Sequence, residues 1–316
     1  MDNSEKRKKV SVVTPCFNEE ANIVDVHRAI KEIRDLHPQY DWEHLFIDNA
    51  SIDQTVPLLK EIAAQDKDVR VIVNIKNFGI IRSPYHGYLS AEGDAVIVYM
   101  CDLQDPPELI TDFVKKWEEG HKLVVGVKNT SEENPFMFLI RKIFYAIMDR
   151  ISETDHIKNF TGFGLYDKSL MDILRTLREP YPYFRGLVVE YGENRIEIPY
   201  TQRTRKKEKT KNNFYTLYDS AMGGFVANSK VPLRLANFLG FGVAFASLLI
   251  AFGYLIYKLV YWDSFQLGAA PLVIGMFFLG AIQLIFIGII GEYVGAILTE
   301  IKNRPLVIEK ERINFD

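Results

Sequence analysis

The sequence predicts an α/β protein in which a mostly parallel sheet carries helices on both faces and is followed by an apolar helical region. Three observations predict it. Short β-branched runs alternate with amphipathic stretches through the first 130 or so residues, which is the rhythm of βαβ units. Asp, Asn and Glu recur just past the ends of those runs, where open α/β sheets bind their ligands. Two long runs without any charge, 20 residues at 238–257 and 28 at 264–291, stand near the end of the chain.

The elements follow in order. Residues 9–14 form a β-branched run closed by Pro15, the pattern of a buried strand. Asn18, Glu19 and Glu20 are of the types that cap a helix, here one reaching about Leu36. Residues 45–47 are a second strand, 51–55 a polar turn, and a helix runs on to Gln65. Residues 69–73 are a third strand, Asn77-Phe78-Gly79 breaks the pattern, and a helix covers about 82–91. Residues 95–100 are a fourth strand. Pro106 and Pro107 open another helix, because proline suits a first helical turn. Residues 123–127 are a fifth strand. Residues 136–150 combine apolar side chains with Arg141, Lys142 and Arg150, a pattern that fits a helix lying in a membrane interface or an ordinary core helix.

A bilayer core of roughly 30 Å needs about 20 helical residues, so the two uncharged runs read as two transmembrane helices. Glycines such as Gly240, Gly288 and Gly295 allow close helix contact in lipid and suggest a homo-oligomer. Lys230 and Arg234 precede the first run, and Lys302, Arg304, Lys310 and Arg312 follow the second. The positive-inside rule then puts both termini and the first 230 residues in the cytoplasm, in a multi-pass protein of the cytoplasmic (inner) membrane. Residues 2–9 are polar and basic and lead straight into a strand, so no signal peptide is expected. The expected organisation is a cytoplasmic domain at 1–229, a two-helix membrane domain at 230–301 and a cytoplasmic tail at 302–316.

Composition excludes several classes. Hydrophobic residues make up 48% of the 316, with 21 Phe and 16 Tyr, so wholesale disorder is ruled out. The net charge of −3 argues against a nucleic-acid binder. Two cysteines cannot make a disulfide framework or a four-thiolate zinc site. No glycine-rich dinucleotide fingerprint, P-loop, HExxH metal spacing or nucleophile elbow is present. Carboxylates and amides at strand ends remain.

Those residues carry a family resemblance. Val13-Thr-Pro-Cys-Phe-Asn-Glu-Glu20 resembles the opening motif of family 2 glycosyltransferases, and Ile47-Asp-Asn-Ala-Ser-Ile-Asp-Gln-Thr55 resembles their Asp-Asp-Gly-Ser segment. Asn77-Phe-Gly79, Gly93-Asp94 and Asp102-Leu-Gln-Asp-Pro-Pro-Glu108 continue the series in order. With two apolar C-terminal runs, the chain is most similar to the polyisoprenyl-phosphate glycosyltransferases, such as the GtrB-type enzymes and the dolichol-phosphate mannose synthases, over residues 9–300.

The resemblance implies a GT-A-type (Rossmann-like) fold and a donor site for a nucleotide-diphosphate sugar. Pro15, Phe17, Asn18, Glu19, Asp48, Asn49, Ser51, Asn77, Gly79, Asp102 and Gln104 would form that site, with Asp53 a weaker candidate. Asp48 would accept a hydrogen bond from a uracil-like base, a charge-assisted contact. Asp102 and Gln104 match a motif that holds Mg²⁺ or Mn²⁺ on the diphosphate, with Met100 standing where relatives have a first Asp. Residues 203–213 match a basic active-site loop. Arg205 and Lys211 of that loop, together with Asp102, would be catalytic, and Arg203 and Arg205 would meet an acceptor phosphate. Residues 160–166 match a segment near the acceptor, where relatives often have Arg at position 164 and GtrB-type members an Asp near 162; here both positions are glycine. Arg185 belongs to an Arg-Gly turn.

The implied reaction moves a sugar from a UDP- or GDP-sugar to a polyisoprenyl phosphate, with undecaprenyl phosphate favoured and inversion at C1, for cell-envelope or O-antigen glycan modification. Two other readings stay open. One is a transferase that extends a lipid-linked glycan, with Asp105 as base. The other is a non-catalytic membrane-tethered scaffold that binds nucleotide sugars, suggested by Met100, Gly162 and Gly164.

Overall fold

The computed structural model describes residues 7–129, 157–180, 182–203, 231–261, 269–302 and 304–315. The expected interfacial helix at 136–150, and residues 204–213 of the basic loop with Arg205 and Lys211, lie outside the described residues. The chain divides into two compact units. Of the described residues, one unit holds those from 7 to 203 together with 304–315, and the other holds 231–261 and 269–302.

In the first unit, β1 (Lys9–Cys16), α1 (Ile23–Leu36), β2 (Asp41–Asp48), α2 (Thr55–Gln65), β3 (Val69–Asn74), α3 (Gly79–Ser90) and β4 (Ala95–Val98) alternate as expected. Helix α4 (Leu109–Glu118), β5 (Leu123–Lys128), β6 (Phe160–Asp167), α5 (Lys168–Thr176), α6 (Phe184–Tyr191) and β7 (Arg195–Tyr200) follow, and β8 (Glu309–Ile313) closes the chain. The eight strands form one sheet in the order β7-β5-β6-β4-β1-β2-β3-β8. Four of its seven pairings are parallel, so the sheet is mixed with a parallel centre.

Side chains alternate across the strands, as the period of two requires. Val10, Val12 and Phe46 meet α1, α2 and α4 on one face through Ile30, Leu59 and Phe113. Val13, Leu45 and Val98 meet α3, α5 and α6 on the other through Tyr85, Met171 and Val188. Burying a side chain of this size contributes roughly 1.5–3 kcal/mol, and the same contacts fix the strand register.

Four expectations change. Asn18 does not cap α1: its backbone sits at φ 55°, and the helix begins later, after Asn22. Residues 160–166 are an antiparallel strand between β4 and β5. There a Cβ at Gly164 would lie 2.6 Å from the Val124 carbonyl oxygen, and Gly162 has φ +100°, so backbone geometry accounts for both glycines. Arg185 lies in the first turn of α6 rather than in a turn of its own, and it donates to the Phe160 carbonyl at 3.3 Å. The segment 302–316 is not a separate tail, because β8 pairs antiparallel with β3.

In the second unit, α7 (Val231–Val260) contains the first uncharged run and α8 (Ala269–Ile301) contains residues 269–291 of the second; residues 264–268 lie outside the described residues. The stretch Phe278–Gly295 of α8 is long and apolar enough to cross a membrane, with mean hydropathy 1.8 and none of it buried. Gly240 of α7 lies against the Phe286 ring of α8, where a Cβ would come within 3.2 Å.

One polar cluster lies inside the first unit. His44 is buried, stacks on His27 and shares a hydrogen bond with Thr14 at 3.1 Å, while its Nδ1 has no partner among the described residues. Burial, His27 and Arg34 hold His44 well below the ordinary imidazole pKa. Burial, with Arg34 and Lys31, lowers His27 despite nearby Asp66. His44 therefore stays neutral when folded and takes up a proton freely when unfolded, and His27 is shifted in the same direction. Stability is therefore complete above about pH 6.5 and falls as acid is added, by up to about 1.4 kcal/mol per pH unit for each histidine. Unfolding midpoints measured from pH 7.5 to 5 are expected to drop, and His44→Gln is expected to shallow that slope.

Candidate active site

The site is built from the loops that leave the parallel strands. In the sheet β1 stands between β2 and β4, and all three run the same way, so their carboxyl ends lie side by side. Strand spacing puts the tips of β2 and β4 about 10 Å apart, with the β1 loop between them. Asp48 ends β2, residues 15–20 leave β1, and Asp102 lies four residues past the end of β4. Asn77 and Gly79 leave the next strand, β3.

Asp48 is fully buried, and its carboxylate accepts from the Ser51 backbone N–H at 2.9 Å and from the Ser51 hydroxyl. Burial pushes its pKa up, and the Ser51 and Ala50 hydrogen bonds oppose that rise. The β1 loop is laced to the β2 loop. The Asn18 N–H donates to Ser51 Oγ at 2.8 Å, the Glu19 N–H to Thr55 Oγ1 at 2.8 Å, and the Ile52 N–H to Asn18 Oδ1 at 2.9 Å. Asp53 belongs to this lacing, accepting from Glu20 and Thr55. Burial raises its pKa, but the Thr55 hydrogen bonds outweigh that and leave it lowered. Pro15 is half-buried between these strands and Phe17 is 37% exposed beside them.

Asn49 ties β2 to the following loop. It donates to Asn77 Oδ1 at 3.0 Å and to the Gly79 carbonyl at 3.2 Å, and accepts from the Phe78 N–H at 2.8 Å. Asn74 donates to Ser83 Oγ at 2.9 Å and, at 3.5 Å, to Asn49 Oδ1. Asn18, Ala50 and Leu103 all have positive φ, one in each of the three central loops. Such backbone costs about 1–3 kcal/mol per residue and is held only by surrounding structure.

Asp102 Oδ1 accepts from the Gln104 N–H at 3.2 Å, and its Oδ2 has no partner among the described residues. A cavity of about 300 Å³ beside it is lined by Asn22, Asp25, Arg28, Asp102 and Leu103. Gln104 uses its amide oxygen to accept from Gln202 at 3.1 Å, and Gln202 in turn accepts from Lys128 Nζ at 2.6 Å. Arg203 donates its backbone N–H to the Gln104 carbonyl at 2.9 Å and its guanidinium to Glu108 at 2.9 and 3.0 Å. Asp105 is 3% exposed and takes a short hydrogen bond from the Tyr200 hydroxyl. Burial raises its pKa, with the Tyr200 bond opposing. Cys16 and Cys101 are buried, and burial first of all pushes both thiols far above their ordinary pKa.

The structure thus brings together Pro15, Phe17, Asn18, Glu19, Asp48, Asn49, Ser51, Asn77, Gly79, Asp102, Gln104 and Arg203. Sequence reasoning missed Thr55, Asn74, Lys128, Tyr200 and Gln202. Thr55 was legible as the end of a matched motif; the others come from β3, β5, β7 and the two residues after β7, and were not. No group of three or more His, Cys, Asp or Glu able to hold a metal occurs among the described residues. Asp102 still offers one hard oxygen, which suits a cation that takes its remaining ligands from water and substrate phosphates. Gln104 does not suit the ligand role in this arrangement, since its oxygen is engaged, and the half-buried Met100 packs among apolar side chains.

The family model described as glycosyl transferase family 2 matches residues 11–175. The chain is 32% identical to the uncharacterized glycosyltransferase YkcC of Bacillus subtilis, over 97% of this chain and 94% of that one. It is also 32% identical to the SfII prophage-derived bactoprenol glucosyl transferase of Shigella flexneri, over 96% and 98%. A third relative, the putative glycosyltransferase CsbB of Bacillus subtilis, is 30% identical over 97% and 92%. With the family model over residues 11–175 and relatives 30–32% identical over nearly the whole length, the chain is a glycosyltransferase and belongs to glycosyl transferase family 2.

Proposed function

We propose that the protein moves a sugar from a nucleotide-diphosphate donor, a UDP-sugar in the first instance, to a polyisoprenyl phosphate such as undecaprenyl phosphate, inverting C1. The observation that carries this reading is the shared edge of Asp48 and Asp102 on either side of the β1 loop. A buried carboxylate at one end suits a base N–H, and an acid with a spare oxygen at the other suits a divalent cation that accompanies a diphosphate. The name of the Shigella flexneri relative supports a bactoprenol acceptor.

The attacking phosphate monoester has a second pKa near 6, so it is largely dianionic at pH 7 and needs no strong base. Asp105 is buried and bound by Tyr200, so the glycan-extending reading has no exposed base there. The chain's task is to orient two anions and neutralise the departing diphosphate. Asp48 and Asn49 hold the base end, and Asp102 marks the diphosphate end. Arg203, the first residue of the basic loop 203–213, bonds to the Gln104 carbonyl and makes an exposed pair with Glu108, worth at most about 1 kcal/mol, so it can exchange that partner for a phosphate. Arg205 and Lys211 would add charge from the same loop. A divalent cation, Mg²⁺ or Mn²⁺, held by Asp102 would supply Lewis-acid stabilisation of the leaving group.

Helices α7 and α8 are taken to cross the cytoplasmic membrane as a pair, with both termini on the cytoplasmic side and the protein assembling with copies of itself. The test is transfer of radiolabel from UDP- and GDP-sugars into lipid extract with undecaprenyl phosphate, with and without EDTA. Label is expected in lipid from a UDP-sugar, lost with EDTA and restored by Mg²⁺ or Mn²⁺. Saturable nucleotide-sugar binding without any transfer would favour the scaffold reading instead.

A further inference from the structure

Strand β3 loses its inner partner before the donor loop begins. Its parallel ladder with β2 ends at Asp48 and Val73. The next two residues are held from the other side: Asn74 pairs with Glu309 of β8, and the Ile75 N–H donates to the Ile308 carbonyl at 3.0 Å. Past Ile75 the chain enters Lys76–Phe78, the loop that Asn49 grips. The same C-terminal segment also holds the far end of that loop. Arg82, in the first turn of α3, donates to the Pro305 carbonyl at 3.1 Å, and His86 meets Glu309 at 2.6 Å.

Glu309 therefore contacts both sides of the loop. Hydrogen bonds from Arg312, at 2.5 and 2.8 Å, and from His86 hold its carboxyl down at about 2, so it remains charged. The segment is seated firmly. Val307 is 5% exposed, Asn314 donates to the Ala63 and Val69 carbonyls, and Phe315 lies under both Arg70 and Arg312. An extra residue, Lys310, interrupts the pairing beside Asn74, and bulges of this kind are used to aim neighbouring side chains. Asn74 is buried, and its Oδ1 has no partner among the described residues. Leaving such a group unpaired costs about 1–3 kcal/mol, so its orientation must be enforced by what surrounds it.

We propose that residues 304–315 are a positioning element of the donor site, clamping the Lys76–Phe78 loop at both ends so that Asn74 and Asn77 meet Asn49. The functional half of this inference rests on the donor-site reading above; the clamp itself does not. A chain cut after Arg304, assayed in its membrane, is expected to show a donor KM raised about tenfold, the worth of one or two hydrogen bonds. Its kcat is expected to change much less, and added peptide 303–316 is expected to restore KM. Glu309→Ala keeps the strand and is expected to show a smaller KM rise in the same direction, while Lys60→Ala, which removes only an exposed pair with Glu311, is expected to leave KM unchanged. A folded truncation with wild-type KM, or an apparent kcat that falls only in proportion to lost folded protein while KM stays at the wild-type value, would overturn the proposal. Should the truncation fail to fold, Glu309→Ala decides by the same readings. Hydrogen exchange at residues 75–80 reads the clamp without substrate. Faster exchange in Glu309→Ala is expected, and unchanged exchange overturns the clamp. Faster exchange alongside a wild type that saturates with no nucleotide sugar supports the clamp and removes the donor-site reading.

Discussion

Asp102→Ala is expected to lower kcat/KM for transfer to lipid by at least about 100-fold, the usual scale for removing a group that stabilises developing charge. The folded state is expected to survive. Asp102 is half-buried and makes one local hydrogen bond, to the Gln104 N–H, worth about 0.5–1.5 kcal/mol. Its second oxygen has no partner among the described residues, so truncation strands no buried donor. The loss falls on the reaction, because a divalent cation that would balance the charge of the departing diphosphate then loses the carboxylate that would hold it. Asp102→Asn keeps the loop hydrogen bond and removes the charge, so it is expected to fall nearly as far. Radiolabel transferred to lipid extract, read beside a thermal melt by circular dichroism, checks both. Turnover near wild type in either variant, with the melt intact, would remove Asp102 from the chemistry.

Asp48→Asn is expected to do the opposite to stability and comparable harm to donor binding. The wild-type carboxylate is fully buried, and burial is the main reason its pKa is raised. An amide accepts from the Ser51 N–H without the cost of burying a charge, so the melting temperature should hold or rise. It is a poorer acceptor for a base N–H. Losing a charge-assisted bond of 1.5–3 kcal/mol raises donor KM by about 10- to 150-fold. The pH dependence carries a second signature. Protonation removes the acceptor, and the raised pKa brings that loss on earlier during acidification than for an ordinary aspartate. Donor KM in the wild type should therefore climb as pH falls through that raised pKa, and Asp48→Asn should be flat over the same interval. Equal KM for both proteins at neutral pH would show that Asp48 only shapes its turn.

The two acids were legible for different reasons. Asp48 follows a hydrophobic strand and opens a polar turn, so local pattern alone puts it at a strand tip. Asp102 needed the motif as well, since the residues around it, Met100, Cys101 and Leu103, give no ligand signal. Asn18 and Glu19 were legible as site residues and misread as caps. Local composition cannot distinguish a side chain that caps its own helix from one that, like Asn18 at φ 55°, reaches across to Ser51 and Ile52. Gly162 and Gly164 read locally as missing functional groups, whereas β6 lies between β4 and β5, where a Cβ at 164 would strike a neighbouring backbone.

By itself the sequence determined the alternation of strands and helices, the parallel centre of the sheet, the edge on which its acids gather and the two apolar runs near its end. These follow from hydrophobic period, turn chemistry and charge, all of which act between residues close in the chain. Only the tertiary structure decided that residues 160–167 and 309–313 join the sheet as antiparallel strands, that Lys128, Tyr200 and Gln202 stand beside the Asp102 loop, and that the end of the chain supports the loop after β3. Those pairings join residues from 33 positions apart, Val127 with Phe160, to 242 apart, Val71 with Ile313. An edge strand such as β8, with half its side chains in solvent, carries too little local pattern to announce a partner at that distance.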